Sequence, residues 1–308
     1  MDLLAALRVY VRVAEARSFS AVARELGTTQ PAVSRQVAAL EEHLGARLLQ
    51  RTTRSLALTE DGRDLLGHAR RVLDTVEEAE ASVGRRHAVP GGLVRMATPT
   101  TFGRLYVAPR MNRLLERYPE MSVELRMSDT VVDLVADGID LAIRASRVLD
   151  SSLVARKIGS TRLITVASPA CIAMHGAPKH PSDLARLPCL IFTSRATPNE
   201  WRFDGRDGSV SVTIAGRFRS DNTEALQEGV LGGLGFAVLP TWLVAEELAT
   251  GRLQPVLTDW DAPMLPISAV YPSRRNLAPR TRAVIDFFVD EFRLDPVISD
   301  YGEVRKNL

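Results

Sequence analysis

The stretch from Ser20 to Leu44, SAVARELGTTQPAVSRQVAALEEHL, constrains this chain more than any other. It reads as two short amphipathic helices joined by a tight turn. In the first, Ser20 is the expected N-cap with Phe19 just before it, Val22 and Leu26 supply an apolar stripe, and Gly27 ends the helix. Thr28 or Thr29 can cap the second. Pro31 then falls in its first turn, where a missing N–H costs nothing. Val33, Val37, Leu40 and Leu44 recur at helical spacing and mark the buried side. That leaves Gln30, Pro31, Ser34 and Arg35 facing outward at the helix's N-terminal end. In a helix-turn-helix that end enters the DNA major groove, where Arg and Gln match guanine and adenine edges.

The rest of the composition limits how far this can extend. The net charge of the 308-residue chain is only +2, so a DNA-binding surface has to be local. Lysine occurs only at Lys157, Lys179 and Lys306, and this arginine bias runs through the whole chain, which marks it as compositional habit. No basic region precedes an apolar run at the N-terminus, and no apolar run reaches membrane-spanning length. Two cysteines, Cys171 and Cys189, make no disulfide framework. A cytoplasmic location and no membrane partner are expected.

Ahead of the central motif, Leu4, Leu7, Val11 and Ala14 form one face of a third helix. After it, LLQRTTRSLALT has an extended pattern around a polar tip, and reads as a β-wing whose Arg51, Thr52, Thr53 and Arg54 reach DNA phosphates or the minor groove, the alternative being an ordinary solvated hairpin. Thr59 can cap the next helix, with Glu60 and Asp61 at its positive end. Along that helix Leu65, Ala69, Val72, Val76, Ala79 and Val83 alternate spacings of four and three, a heptad seam that favours pairing with a second copy over the alternative of a helix lying on the chain's own core. A dimer also suits a helix-turn-helix, since two recognition helices must meet major-groove faces roughly 34 Å apart.

HAVPGG, residues 87–92, is a linker, and beyond it the pattern turns α/β. Strands are predicted at 93–97, 123–127, 140–143, 163–167, 190–192, 210–214, 236–239 and 267–271. Helices are predicted at 102–118 (with Pro109 marking a kink), 131–137, 223–231, 242–248 and 280–292. Their alternation implies mainly parallel sheets, and the tail 293–308 shows no periodicity.

Together these segments resemble LysR-type transcriptional regulators over nearly the whole chain. FSAVARELGTTQPAVSRQVAALEEHLGARLLQRTTRSLALTEDG is similar to the family's winged helix-turn-helix, while VASPA, DLAIR with DSSLVARKIG, and GLGFAVLP are similar to its effector domain. The resemblance implies an α/β protein with a helix-rich DNA-binding domain at 1–59 and a dimerisation helix at 60–89. An effector domain at 90–292, like a periplasmic binding protein, would follow. Its Rossmann-like subdomains would span about 93–165 with 266–292, and about 166–265. It also implies a two-fold DNA operator, a small-molecule effector, a homodimer or homotetramer, and RNA polymerase among the partners. By position, Ser20, Gln30, Pro31, Ser34 and Arg35 would lie on DNA, with Arg51, Thr52, Thr53 and Arg54 on its backbone.

For the effector, the turn Thr98, Thr100 and Thr101 follows the first strand and suits a carboxylate. Ser128 and Arg144 end neighbouring strands, and Thr193, Arg195 and Asn222 are the candidates across the cleft. Cys171, His175 and His180 lack a fourth metal ligand at a recognised spacing, and no nucleophile motif or dinucleotide turn appears. No catalytic residue, metal or cofactor is therefore assigned. The rival reading is a small-molecule binding protein or enzyme whose α/β body is the working part.

Overall fold

The computed structural model describes residues 1–51, 56–83, 90–145, 153–206, 208–260, 264–272 and 277–298, apart from the side chains of 51, 71, 74 and 77–83. The N-terminal head is built on α1 (Leu3–Ala16), α2 (Phe19–Glu25) and α3 (Gln30–Leu44). Tyr10, Val13, Val22, Val33, Val37 and Leu40 make its core, so the helical spacing read from the sequence holds through most of the motif. The wing strands β1 (Leu49–Arg51) and β2 (Leu56–Leu58) pair antiparallel, with Leu49 opposite Leu58. The Glu41 carboxylate of α3 accepts from the N–H groups of Leu48 and Leu49 at 2.8 and 3.1 Å, tying the wing to the recognition helix.

Three local expectations fail. The N-cap of α2 is Ser18, whose hydroxyl accepts from Ala21 N–H at 3.2 Å; Ser20 lies within the first turn, exposed. Leu26 is exposed because α2 stops one residue short of it, leaving Phe19, Val22 and Ala23 as the buried side. Leu44 is exposed too, because Gly45 (φ 66°) turns the chain away and Leu48 and Leu49 complete the core instead.

Thr59 caps α4 (Glu60–Val83) as expected, accepting from Gly62 N–H at 2.9 Å. The start of α4 belongs to the head: the Tyr10 hydroxyl donates to the Gly62 carbonyl, and Ala69 is part of the head core with Leu65 packed beside it. Two seam positions are therefore occupied within the chain itself. Val72 is exposed and Val76 half-buried, while the side chains of Ala79 and Val83 lie outside the described set.

The body has two lobes. The first contains β3 (Gly92–Thr98) and α5 (Thr100–Phe102), which runs through a π turn and a 3-10 turn into α6 (Met111–Arg117). Pro109 sits in that 3-10 turn, which accounts for the break in the helix expected over 102–118. Then come β4 (Met121–Met127), β5 (Leu141–Arg144) and β6 (Val154–Thr161). The chain crosses to the second lobe with β7 (Leu163–Ala167), α7 (Pro169–His175), β8 (Pro188–Phe192), β9 (Glu200–Gly205), β10 (Gly208–Thr213) and β11 (Ala215–Ser220). That lobe ends with α8 (Thr223–Leu231), β12 (Ala237–Pro240), α9 (Thr241–Ala249) and β13 (Gln254–Val256). It returns to the first lobe with β14 (Leu265–Tyr271) and α10 (Pro279–Arg293).

The first sheet runs β4-β3-β5-β14-β6. Its β3 is parallel to β4 and β5, whereas the returning β14 is antiparallel to β5 and β6. In the second lobe β8 and β11 are parallel, and a parallel bridge from Cys189 to Phe236 leads on toward β12, which with β13 flanks β7 antiparallel. Parallel pairing is thus not the main arrangement: the returning β14 and the strands beside β7 pair antiparallel, as do β9 and β10.

The helix expected over 131–137 is a run of turns. Asp133 Oδ1 accepts from the N–H groups of Val135 and Ala136 at 2.9 and 3.0 Å, competing for the donors a helix would use. The tail, expected to be loose, begins anchored. Ile298 is buried and its carbonyl accepts from Ser160 N–H at 3.0 Å.

Candidate DNA-reading head and effector cleft

At the front of the head every residue from Arg24 to Pro31 is exposed, including Gln30 and Pro31 in the first turn of α3. Arg35 is exposed one turn further on, and Ser34 is half-buried beside it. An apolar back held by Val33, Val37 and Leu40 therefore presents a polar edge outward, as groove insertion requires. Arg51 ends β1, while Thr52, Thr53, Arg54 and the Arg51 side chain fall outside the described residues.

In the body, parallel pairing of β3, β4 and β5 brings Thr98, Ser128 and Arg144 to one end of the first sheet. Ser128 N–H donates to the Thr98 carbonyl at 3.0 Å, and the Ser128 hydroxyl sits 2.8 Å from that of Thr130. The Arg144 guanidinium donates to the Val132 carbonyl at 3.1 Å, a contact that fastens the loop after β4. Thr98 is buried, and among the described residues its hydroxyl has no hydrogen-bond partner. Across the cleft, Thr193 follows β8 and its N–H donates to the Ser220 carbonyl at the end of β11. Asn222 lies just beyond the end of β11 and meets the first lobe through Asp129, and Arg195 lies in the turn that follows β8.

The facing residues are clasped together. Asp129 Oδ1 accepts from Thr100 N–H at 2.9 Å, and its Oδ2 accepts from Asn222 Nδ2 at 2.7 Å. Asn222 Oδ1 meanwhile caps α8 through Ala225 N–H at 3.0 Å. Beside them Glu224 of α8 pairs with Arg104, and its second oxygen accepts from the Thr101 hydroxyl at 3.5 Å. Thr100, Thr101 and Asn222 are thus brought together. Asp129, Arg104 and Glu224 were missed, although Asp129 stands next to Ser128 and Glu224 lies in the turn that Asn222 caps. The carboxylate at the Thr100 turn is the chain's own.

Arg195 differs from these. Burial pulls its guanidinium below the usual arginine range, and among the described residues it has no hydrogen bond or ion pair. At the cleft floor Trp242 of the second lobe packs against Phe102 and Tyr106 of the first, ring centroids 5.3 and 5.6 Å away. The Tyr106 hydroxyl donates to the Trp242 carbonyl at 3.1 Å, and burial pushes its pKa up to about 12.

Cys171 and Cys189 are both buried and unpaired by a disulfide; burial raises both thiols, Cys189 to about 12, which keeps them protonated and inert. His180 packs edge-on against Trp260 and shares a hydrogen bond with Ser182. No helix among the described residues is long and apolar enough to cross a membrane.

A winged helix-turn-helix carried on a long helix, followed by two lobes with a cleft between their strand ends, defines a DNA-binding regulator with a ligand-sensing body. Residues 4–63 match the model of the bacterial regulatory helix-turn-helix protein, lysR family, and residues 87–293 match that of the LysR substrate binding domain. The chain belongs to the LysR family of transcriptional regulators. It is 36% identical over 293 residues to the HTH-type transcriptional regulator DmlR of Escherichia coli, covering 95% of each chain. The solved structure of CrgA, a LysR-type regulator from Neisseria meningitidis, is 35% identical with a TM-score of 0.59, over 93% of this chain and 98% of that one. Full-length OxyR from Pseudomonas aeruginosa, at 19% identity, shares the fold with a TM-score of 0.73 over 97% of each chain.

Proposed function

We propose that this LysR-type regulator is a non-enzymatic cytoplasmic switch controlled by a small organic acid bound between the lobes of its body. Arg195 carries this reading: a partly buried guanidinium with no carboxylate partner among the described residues, in the turn that follows β8 and Thr193. A buried cation without a counter-charge is costly, and an anionic ligand removes that cost. The Thr98 hydroxyl, buried and without a partner among the described residues, is a second group such a ligand would satisfy. Thr100, Thr101, Ser128, Thr193 and Asn222 complete the lining, with Arg144 holding the loop behind it. In this reading the body divides at about 165 and 266, and the acid shifts the balance between open and clasped lobes.

Two copies pair through α4 from Val72 onward, placing two heads on a two-fold operator. Two dimers make the tetramer, and RNA polymerase is the next partner. Gel retardation with the DNA flanking the chain's own gene tests the DNA side. A retarded band that outlasts excess random duplex is expected, and its absence at moderate salt returns the rival reading of a stand-alone binding protein. A thermal-shift panel of small carboxylic acids tests the sensing side. An acid that stabilises the native chain and fails on Arg195→Ala is expected, whereas a response kept by Arg195→Ala rejects the assignment.

A further inference from the structure

One cluster of charge is used neither by the DNA-facing edge nor by the cleft. Glu15 lies near the end of α1. Its carboxylate gathers three arginines from three parts of the chain. Arg12 of α1 and Arg70 of α4 each reach it at 2.9 Å, and Arg95 of β3 in the body makes the closest contact. The three groups at its centre are well buried, with side-chain exposures of 17% for Glu15, 11% for Arg70 and 12% for Arg95. Burial, with Arg95 nearby, pulls Arg70 below the usual arginine range. Glu15 is the carboxylate that both guanidinium groups share.

The backbone is shaped for this approach. A Cβ on Gly67 of α4 would lie 2.6 Å from the Val135 carbonyl of the body. Gly138 adopts φ 61°, and a Cβ there would lie 2.2 Å from Arg70 Nη1. Two glycines, one on each side, therefore line this contact: a side chain on Gly67 would push the Val135 backbone away, and one on Gly138 would displace the Arg70 side chain. Arg95 is itself fixed within the body: its N–H donates to Asp140 Oδ2 at 2.7 Å and its Nε lies 3.3 Å from Glu124 Oε2.

We propose that Glu15 docks the DNA-reading head onto the first lobe of its own chain and so sets the direction in which α3 faces. A surface ion pair alone would be too weak to hold a domain, but here Arg95 reaches across from the body to a buried carboxylate that Arg12 and Arg70 already hold within the head, and the close contacts at Gly67 and Gly138 make the joint specific. The same strand that presents Arg95 ends at Thr98 in the cleft, so a shift of β3 moves both. Glu15 is a positioning residue in this scheme; it touches no DNA.

Spin labels on Gln36→Cys in the head and Met174→Cys in the second lobe report the joint in the full-length chain, because the native thiols are buried. Labelled chain is diluted into unlabelled chain so that only distances within one protomer are read. One narrow distance distribution is expected for the otherwise native chain. Glu15→Gln and Arg95→Gln should each broaden it, and the exchanged pair Glu15→Arg with Arg95→Glu should narrow it again. In parallel, Glu15→Gln should weaken binding to the duplex retarded by the native chain about fivefold or more. A broad distribution in the native chain, or one that neither single variant changes, overturns the docking. Unchanged DNA affinity in a variant whose distribution has broadened overturns the orienting role. Neither result bears on whether the native chain binds the duplex, which the retardation experiment settles by itself.

Discussion

The side-chain amide of Asn222 donates to the Asp129 carboxylate at 2.7 Å, joining the two lobes of the body at the mouth of their cleft. The same carboxylate accepts from Thr100 N–H, so one acidic side chain serves a donor on each lobe. Asp129→Ala leaves both donors without their acceptor, at a cost of about 1–3 kcal/mol. A fall in Tm of several degrees by calorimetry is expected. Asn222→Ala should be worse, because it also removes the cap of α8, worth about 1 kcal/mol. Equal Tm values for the native chain and Asp129→Ala would show that the clasp is not closed in solution.

The wing depends on a single carboxylate in a similar way. Glu41 of α3 accepts from two consecutive backbone N–H groups, those of Leu48 and Leu49, where the chain leaves the helix and enters β1. With both leucines buried, those donors have no easy access to water. Glu41→Ala is expected to lower the stability of the head by about 1–3 kcal/mol in urea unfolding. Glu41→Gln, which retains one acceptor oxygen, should recover part of that loss.

Acid should act through the pair that joins α1 to α2. Arg12 meets Glu25 with two parallel bonds at 2.8 Å and holds the Glu25 carboxyl below its usual value of 4.5. A carboxyl whose folded pKa is depressed contributes stability above its unfolded value, and that contribution disappears as pH falls through the folded one. The native chain should therefore be more stable than Glu25→Gln at pH 7, and the two should converge as the pH drops well below 4.5. Both partners are substantially exposed, so the difference is small and shrinks with salt. Thermal melts of both proteins across that range measure it, and a gap that widens toward acid contradicts the sign.

The head was legible because its signals are local. Val33, Val37 and Leu40 carry the helical period, and Thr59 stands where a cap must stand. Strand β7 and helix α8 fall at the residues that the sequence pattern indicates. The sequence reading failed where a short-range competitor or a distant partner decided. Asp133 turned an apolar-looking helix over 131–137 into turns, and Ser18 displaced Ser20 as a cap. Strands β6, β9, β11 and β13 and helix α7 were not anticipated. In β9, Trp201 and Phe203 alternate with exposed residues, but the run is short and rich in charge. In the cleft, position after a strand was enough to suggest Thr98, Thr100 and Asn222. Nothing local links Asp129 to Asn222, which is 93 residues away, or Glu15 to Arg95, 80 residues away. Those contacts exist only once the lobes and the head are assembled.

Arg35 and Arg54 should separate reading of bases from holding of phosphates. Arg35 is exposed on the outward edge of α3, one turn beyond Gln30, and a guanidinium there can make paired bonds to a guanine edge. Its loss is expected to remove about 1–3 kcal/mol of discrimination between the cognate site and random duplex. Arg54, between the wing strands, should act on the phosphates alone. Arg54→Ala would then weaken all sequences alike and lower the slope of log affinity against log salt by about 1. Titrations of both variants on cognate and random duplex at several salt concentrations distinguish the roles. If Arg35→Ala weakens specific and random duplex equally, Arg35 does not read bases and Gln30 becomes the leading reader on α3.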